Sequence, residues 1–371
     1  MNIYKKWVIL SSFIPLFIFM ALSALFYIYD PLQLYHKPYF RKETFVKDRT
    51  QAKKIIDQYN FDSIILGTSM LQNTSLKESA NKLGGKWVNL SIGGGTANER
   101  AIILDYALKK KEIKNIIYSL DAWVGDRVAD TRYFEAIYND KNNFFVPLGI
   151  YINFKNPKFL FCALSYSLEE ECVGKEYDDI EKLTSWIDDT TQYFGGFDNW
   201  KKYLESDKYK AMYIDTMKQI IASKGFNPSS NIDIRLNKSV LQKYLLSFVQ
   251  ENPNTNFYFI IPTYSRLAHL IGDSFYRETW LKWFIVETSK YPNVKIYGFD
   301  DLDYADNIAN YKDPHHYNAD MNLMHLDAIK NNTHILTPKN MDKYFEIMEE
   351  KIKAFDLEPF KQKAKEALNE N

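Results

Sequence analysis

Three residues in this chain have the types and order needed to move an acyl group. Ser69 lies in Phe61-Asp-Ser-Ile-Ile-Leu-Gly-Thr-Ser-Met70, where an apolar run breaks at Gly67 and delivers a hydroxyl just past a strand end. Asp313 and His316 lie in Tyr311-Lys-Asp-Pro-His-His-Tyr317, near the other end of the chain. A serine hydroxyl is protonated at neutral pH and becomes a nucleophile only beside a base. His316 can be that base, and Asp313 can fix its tautomer and stabilise the imidazolium formed during attack. Three positions of spacing on a turn bring both side chains to one point, and Pro314 stiffens the turn. Neither Gly-x-Ser nor Asp-x-x-His is specific alone. A Gly-rich turn and a helix-capping Asp313 are the structural alternatives. The signal is their order: serine after a first strand, Asp and His after a last one.

The same chemistry needs donors placed in advance for an oxyanion. The Ser69 N–H is one, and Asn89-Leu-Ser-Ile-Gly-Gly-Gly-Thr96 offers others, Gly94 among them. Three glycines before a helix could instead bind phosphate. The segment lacks the lysine of a phosphate loop and the spacing of a dinucleotide fingerprint, so this reading ranks last. Asp313, His315 and His316 could hold a divalent metal, but adjacent histidines on one turn point apart and no further ligand cluster is nearby. No metal and no cofactor is expected. His36, His269, His325 and His334 stand outside any motif and read as structural.

The elements that must position these groups alternate along the chain. Apolar runs at 63–66, 87–90, 115–120, 257–261 and 294–297 read as strands. Helical stretches at 97–111, 240–251 and 275–291 separate later pairs, which implies a parallel sheet covered by helices. Ligands bind such sheets at the carboxyl ends of the strands. Ser69, Gly93 to Gly95, Asp121 and Pro262 to Arg266 all follow such ends. The expected organisation is 1–30 cytoplasmic stub and membrane helix, 31–60 linker and polar entry helix (43–59), and 61–371 the α/β domain. A non-alternating insertion at about 124–237, rich in aromatic residues, serves either as structure or as a substrate lid. Apolar residues at Met341, Tyr344, Phe345, Met348, Ile352 and Phe355 make a helix that Pro359 breaks, leaving 361–371 frayed.

With 371 residues, 46% apolar and 25% charged, the chain is an ordinary globular one. Lys plus Arg and Asp plus Glu both number 47, so no electrostatic case exists for a nucleic-acid partner. From Trp7 to Tyr29 there is no charge, enough length to cross a bilayer as a helix. Lys5 and Lys6 favour a cytoplasmic N-terminus. The apolar run continues past Ala21-Leu-Ser-Ala24, which favours an uncleaved anchor over a signal peptide. The main body is then periplasmic or otherwise extracytoplasmic, tethered to the inner membrane by one span. There, Cys162 and Cys172 can form a disulfide.

On these residues the chain resembles the SGNH (GDSL-like) hydrolases, and more narrowly their membrane-anchored, envelope-directed members. Gly67-Thr-Ser-Met70, Asn89 to Thr96 and Asp313-Pro-His-His-Tyr317 resemble the first, second and last family blocks, and Asn318 to Asn340 resembles the tail of the anchored members. The resemblance implies a three-layer, flavodoxin-like parallel-sheet domain. It implies Ser69, His316 and Asp313 as the catalytic triad, and Ser69 and Gly94 as oxyanion donors. It also implies an envelope glycan as substrate, an ester of a short acyl group such as acetyl, and a membrane-bound O-acyltransferase as partner and acyl source. Transfer to sugar and hydrolysis would use the same residues. One departure stands out. The third family block supplies an Asn donor, whereas the third strand here runs into Tyr118-Ser-Leu-Asp-Ala-Trp123. A carboxylate cannot donate, so Asp121 is either structural or substrate-facing, and Asn98, Tyr264 and Arg266 are the other candidates. A non-catalytic glycan-binding or scaffold protein on the same fold is the competing reading.

Overall fold

The computed structural model describes residues 3–46, 49–122, 124–125, 127–139, 144–153, 157–177, 179–226, 233–272 and 278–369. The chain forms two units, each built from two stretches of sequence.

The larger unit, Phe61–Ala129 with Thr184–Asn371, is mixed α/β. Its six strands are β1 (Ser63–Leu66), β2 (Trp87–Asn89), β3 (Asn115–Ser119), β4 (Asn256–Ile260), β5 (Val294–Tyr297) and β6 (Ile335–Leu336). They form one sheet of order β2-β1-β3-β4-β5-β6. The first five pair in parallel and β6 runs antiparallel to β5. β1 is Ser-Ile-Ile-Leu, buried throughout, as a strand covered on both faces must be. Ser63 pairs with both Trp87 and Asn115, and Asn115 pairs with Asn256, so the strands start nearly level. Their carboxyl ends therefore also line up. The strand order reverses between β1 and β3, the position where such sheets open a crevice.

Helices Leu76–Leu83 and Ala97–Lys110 link the first three strands. Arg235–Leu241, a π-helical turn Gln242–Leu246 and Ser247–Glu251 lead into β4, and Glu278–Thr288 leads into β5. Residues 275–277 of the expected helix lie outside the described residues. The core around the sheet includes Ile65, Ile117, Phe257, Phe259, Leu245, Leu281 and Phe284.

The C-terminal tail differs from its expectation. Helix Met341–Ala354 ends before Phe355 rather than at Pro359, and a second helix, Glu358–Asn369, follows it. Pro359 stands in its first turn, where a missing N–H breaks no helical bond. Ala364 and Ala367 are buried, and the helix packs on Lys210–Ala222. Two small residues hold this segment down, which is why its composition read as frayed.

The smaller unit, Met1–Asn60 with Asp130–Leu183, is helical. Ile3–Tyr29 is one helix, and Ser11–Tyr29 is long and apolar enough to cross a membrane. Gln51–Gln58, Arg132–Tyr138, Val146–Asn153, Lys158–Leu164 and Glu170–Val173 complete it. The insertion expected at 124–237 thus divides. Its first part joins the N-terminal segment and its second part joins the sheet unit. The entry helix expected at 43–59 is shorter, because Phe45 pairs with Lys175 as extended backbone; residues 47 and 48 lie outside the described residues. Asp30 organises the linker. Its carboxylate accepts the backbone N–H groups of Leu34 at 3.1 Å and Tyr35 at 2.9 Å. The ammonium of Lys53 donates to the Leu34 carbonyl at 2.9 Å, and that of Lys54 to the Thr44 carbonyl at 2.7 Å. Cys162 and Cys172 are disulfide-bonded, with Cα atoms 5.7 Å apart.

Candidate active site

The loop after β1 carries Ser69. Gly67 is required at its start, since a Cβ there would lie 2.7 Å from the Ser119 hydroxyl and 2.9 Å from Leu71. The Gly67 N–H donates to Ser91 Oγ at 2.9 Å, and Ile92 N–H donates to the Gly67 carbonyl at 3.0 Å. The glycine loop after β2 is thereby stitched to the serine loop. The loop is also held from the C-terminal side. Tyr317 O–H and Asn322 Nδ2 donate to the Met70 carbonyl at 2.8 and 3.0 Å, and Trp186 Nε1 donates to the Ser69 carbonyl at 2.9 Å.

The turn carrying Asp313 and His316 is closed on itself. Tyr311 and Tyr317 pair across it, and Lys312 N–H donates to the His316 carbonyl at 3.1 Å. Asp313 Oδ1 accepts the backbone N–H groups of His315 and His316 at 2.9 and 3.0 Å. Ser265, after β4, donates its hydroxyl to the Pro314 carbonyl at 2.6 Å.

These two loops bring the three residues together. Ser69 Oγ lies 2.8 Å from His316 Nε2. His316 Nδ1 lies 2.8 and 2.9 Å from the two carboxylate oxygens of Asp313. Burial opposes the charge on Asp313, but the His316 charge and hydrogen bond, with Lys312 and His315 behind them, hold its carboxyl well below the usual range. An ionised carboxylate only accepts, so the Nδ1–H of His316 donates to Asp313, and Nε2 is the nitrogen that faces the Ser69 hydroxyl. Ser69 and His316 are only partly buried.

No family model matches this chain, and no curated protein matches it either.

The candidates for the third oxyanion donor are not at hand for that role. Asp121 is fully buried beneath the serine loop. Its Oδ1 accepts the Thr68 hydroxyl at 2.6 Å and its Oδ2 the Ser119 hydroxyl at 2.6 Å, with Arg100 Nη1 at 3.3 Å. Asn98 is also buried; its Nδ2 donates to the Ala129 carbonyl at 2.8 Å and its Oδ1 takes the Thr96 hydroxyl at 2.8 Å. The Tyr264 hydroxyl sits under the loop after β3, 3.4 Å from the Ala122 N–H. Arg266 is fully buried and ion-paired with Asp306 at 2.7 Å, so its charge is spent on the fold. Trp123 lies outside the described residues. Gly94 is exposed, with a φ of 62° that suits glycine, in the loop stitched beside Ser69.

Two features escape sequence reading. Trp186 stacks on Phe194 with centroids 6.4 Å apart and meets the His316 ring edge-on at 5.6 Å. Lys312 stands over the Trp186 ring at 4.2 Å. An aromatic amid many others gave no signal. Asn73, four residues past Ser69, accepts the Trp186 N–H and the Ser185 hydroxyl, each at 3.0 Å, through Oδ1. Its buried Nδ2 has no hydrogen-bond partner among the described residues.

His315 does not join His316. Its ring meets Tyr264 edge-on at 5.7 Å, and burial lowers its pKa to about 4. Among the described residues no group of three or more His, Cys, Asp or Glu could hold a metal ion.

Proposed function

We propose that the sheet unit is a three-layer SGNH-type serine acyl-transfer domain, anchored by one membrane span with its body outside the cytoplasm. The observation that carries this reading is the continuous chain from Ser69 Oγ through both nitrogens of His316 to Asp313. It meets the geometric requirement for a nucleophile, a base and an orienting acid.

On this reading Ser69 Oγ attacks the ester carbonyl of an acyl donor while His316 Nε2 takes its proton. Asp313 stabilises the imidazolium. The Ser69 N–H and the glycine loop around Gly94 receive the oxyanion. Collapse of the tetrahedral intermediate releases the donor alcohol, which regains a proton from His316, and leaves an acyl-Ser69. His316 then deprotonates a glycan hydroxyl, which attacks the acyl carbonyl and takes the group; water in its place gives an esterase. The acyl group is a short one such as acetyl and the acceptor a cell-envelope polysaccharide. A membrane-bound O-acyltransferase is the partner proposed as acyl source. The partly buried Trp186 beside His316 supports a sugar-stacking wall at the site.

The test is the mass of the intact full-length protein after exposure to p-nitrophenyl acetate and to a serine-directed phosphonate. A single adduct that vanishes in Ser69→Ala is expected. A folded protein that takes no adduct on Ser69 would leave the scaffold reading in its place.

A further inference from the structure

The smaller unit holds a feature that the proposed chemistry does not use. Helices Val146–Asn153 and Lys158–Leu164 pack on each other and on the N-terminal helix. Their sequence is unusually apolar for a surface: residues 144–153 read Phe-Phe-Val-Pro-Leu-Gly-Ile-Tyr-Ile-Asn, without a charge. Phe145, just before the first helix, and Gly149 and Ile152 on it are exposed, with Phe145 at 45% and Ile152 at 54% exposure. On the second, Phe161 and Leu164 are three apart and 67% and 59% exposed, and Leu168 beyond it is 55% exposed. Such a patch in water is costly.

Its place along the N-terminal helix says what covers it. Twenty residues after Lys6 span about 30 Å, the thickness of the hydrocarbon, and end near Phe26. Phe145 stacks on Phe19 at 5.5 Å, Tyr151 on Phe26 at 5.8 Å, and Phe144 meets Tyr27 at 5.7 Å. Residues 144–151 therefore lie along the C-terminal half of the span, from Phe19 to its end near Phe26 and Tyr27. The sequence between the two helices carries Lys155, and Lys158 at the start of the second pairs with Glu171 at 3.4 Å; charge returns after Leu168 with Glu169 to Glu171, Lys175 and Glu176, where Lys175 pairs with Glu170 at 2.8 Å. The Cys162–Cys172 disulfide ties the apolar helix to this charged segment.

We infer that helices Val146–Asn153 and Lys158–Leu164, with Phe145 before them and Leu168 beyond, insert in the membrane leaflet opposite Lys5 and Lys6, the exposed Phe145, Ile152, Phe161, Leu164 and Leu168 facing lipid. The charged segment after Leu168 then sits at the headgroups. The anchor is a helix plus a wedge, and it fixes the depth of the smaller unit in a way a single flexible span would not. The inference rests on the reading of the N-terminal helix as a membrane span.

Photocrosslinking of the full-length protein in phosphatidylethanolamine–phosphatidylglycerol nanodiscs, and in cells, tests it. Phe161, Leu164 and Ile152 are each replaced by p-benzoylphenylalanine. Phe17, exposed on the N-terminal helix, is the lipid-facing control and exposed Arg132 the aqueous one. Intact mass under non-reducing conditions reports the disulfide, and so the folded unit. Lipid adducts at 161, 164 and 152 comparable to those at 17, and about tenfold above those at 132, are expected for a face in hydrocarbon. Adducts at 17 but not at 161, 164 and 152 would overturn the wedge and leave the span standing. Adducts at neither would overturn both. Crosslinks from 161 or 164 to a second polypeptide in place of lipid would overturn it in favour of a membrane-protein partner.

Discussion

Two aspartates flank the serine loop, and their hydrogen-bond chains end differently. Asp121 and Asp313 are both buried and both have their oxygens filled with hydrogen bonds. The Asp121 network ends on the guanidinium of Arg100. The Asp313 network ends on an imidazole whose far nitrogen meets a hydroxyl. The carboxylate alone does not distinguish structure from chemistry. What lies at the other end of the chain of hydrogen bonds does.

The comparison can be broken at four points. Removing the reactive end is expected to do most. On the proposed function, Ser69→Ala and His316→Ala should each lower acyl-enzyme formation by about 10⁴-fold or more, with thermal stability nearly unchanged. Asp313→Asn keeps an acceptor for the turn but loses the tautomer control, and should cost about 10³–10⁴ in rate. If Asp313→Asn unfolded the protein instead, the two aspartates would be alike. Asp121→Ala should act the other way: it leaves Arg100 buried without its counter-ion and should cost about 3–5 kcal/mol in denaturant unfolding. Full stability in that variant would remove the structural assignment.

Acid should reveal a further difference. The folded pKa values of His315 and His325 are lowered by burial to about 4 and about 3, below the ordinary 6.5. The unfolded chain therefore binds more protons in this range. Stability contributed by these neutral rings is complete above pH 6.5 and is lost as pH falls, through about 4 for His315 and about 3 for His325. Each should add a slope of at most about 1.4 kcal/mol per pH unit, while Asp313 adds its own loss only below the ordinary carboxylate range. His325→Phe should flatten the urea midpoint against pH between 6 and 4. Smallest of all, Trp186→Phe removes one hydrogen bond to the Ser69 carbonyl and should slow acyl-enzyme formation by roughly fivefold, about 1 kcal/mol. No change there would make Trp186 a wall rather than a positioning residue.

Much of the sheet was legible because β1, β3 and β4 are apolar runs too short for helices and bounded by turns. The two-residue β6 left no periodicity to read. Ser69, Asp313 and His316 could be singled out because their order along the chain follows from where a parallel sheet puts its loops. The fates of Asn98, Asp121, Tyr264 and Arg266 could not, since each is decided by a partner distant in sequence: Ala129, Arg100, Ala122 and Asp306. The division of the insertion at Leu183 was hidden for the same reason. Apolar residues from 144 to 168 look like any core until Phe19 and Phe26 stand beside them.

The chain passes between its two units at three junctions, after Asn60, Ala129 and Leu183. A protease that cuts only the first leaves the sheet unit joined to residues 130–183, which still grip the N-terminal helix through Tyr151, Phe145 and the Tyr29 hydroxyl bonded to the Ser167 carbonyl. Separating the sheet unit from the N-terminal helix therefore takes all three cuts or the unfolding of the smaller unit. A single nick in the linker yields a two-piece protein that stays where it was made.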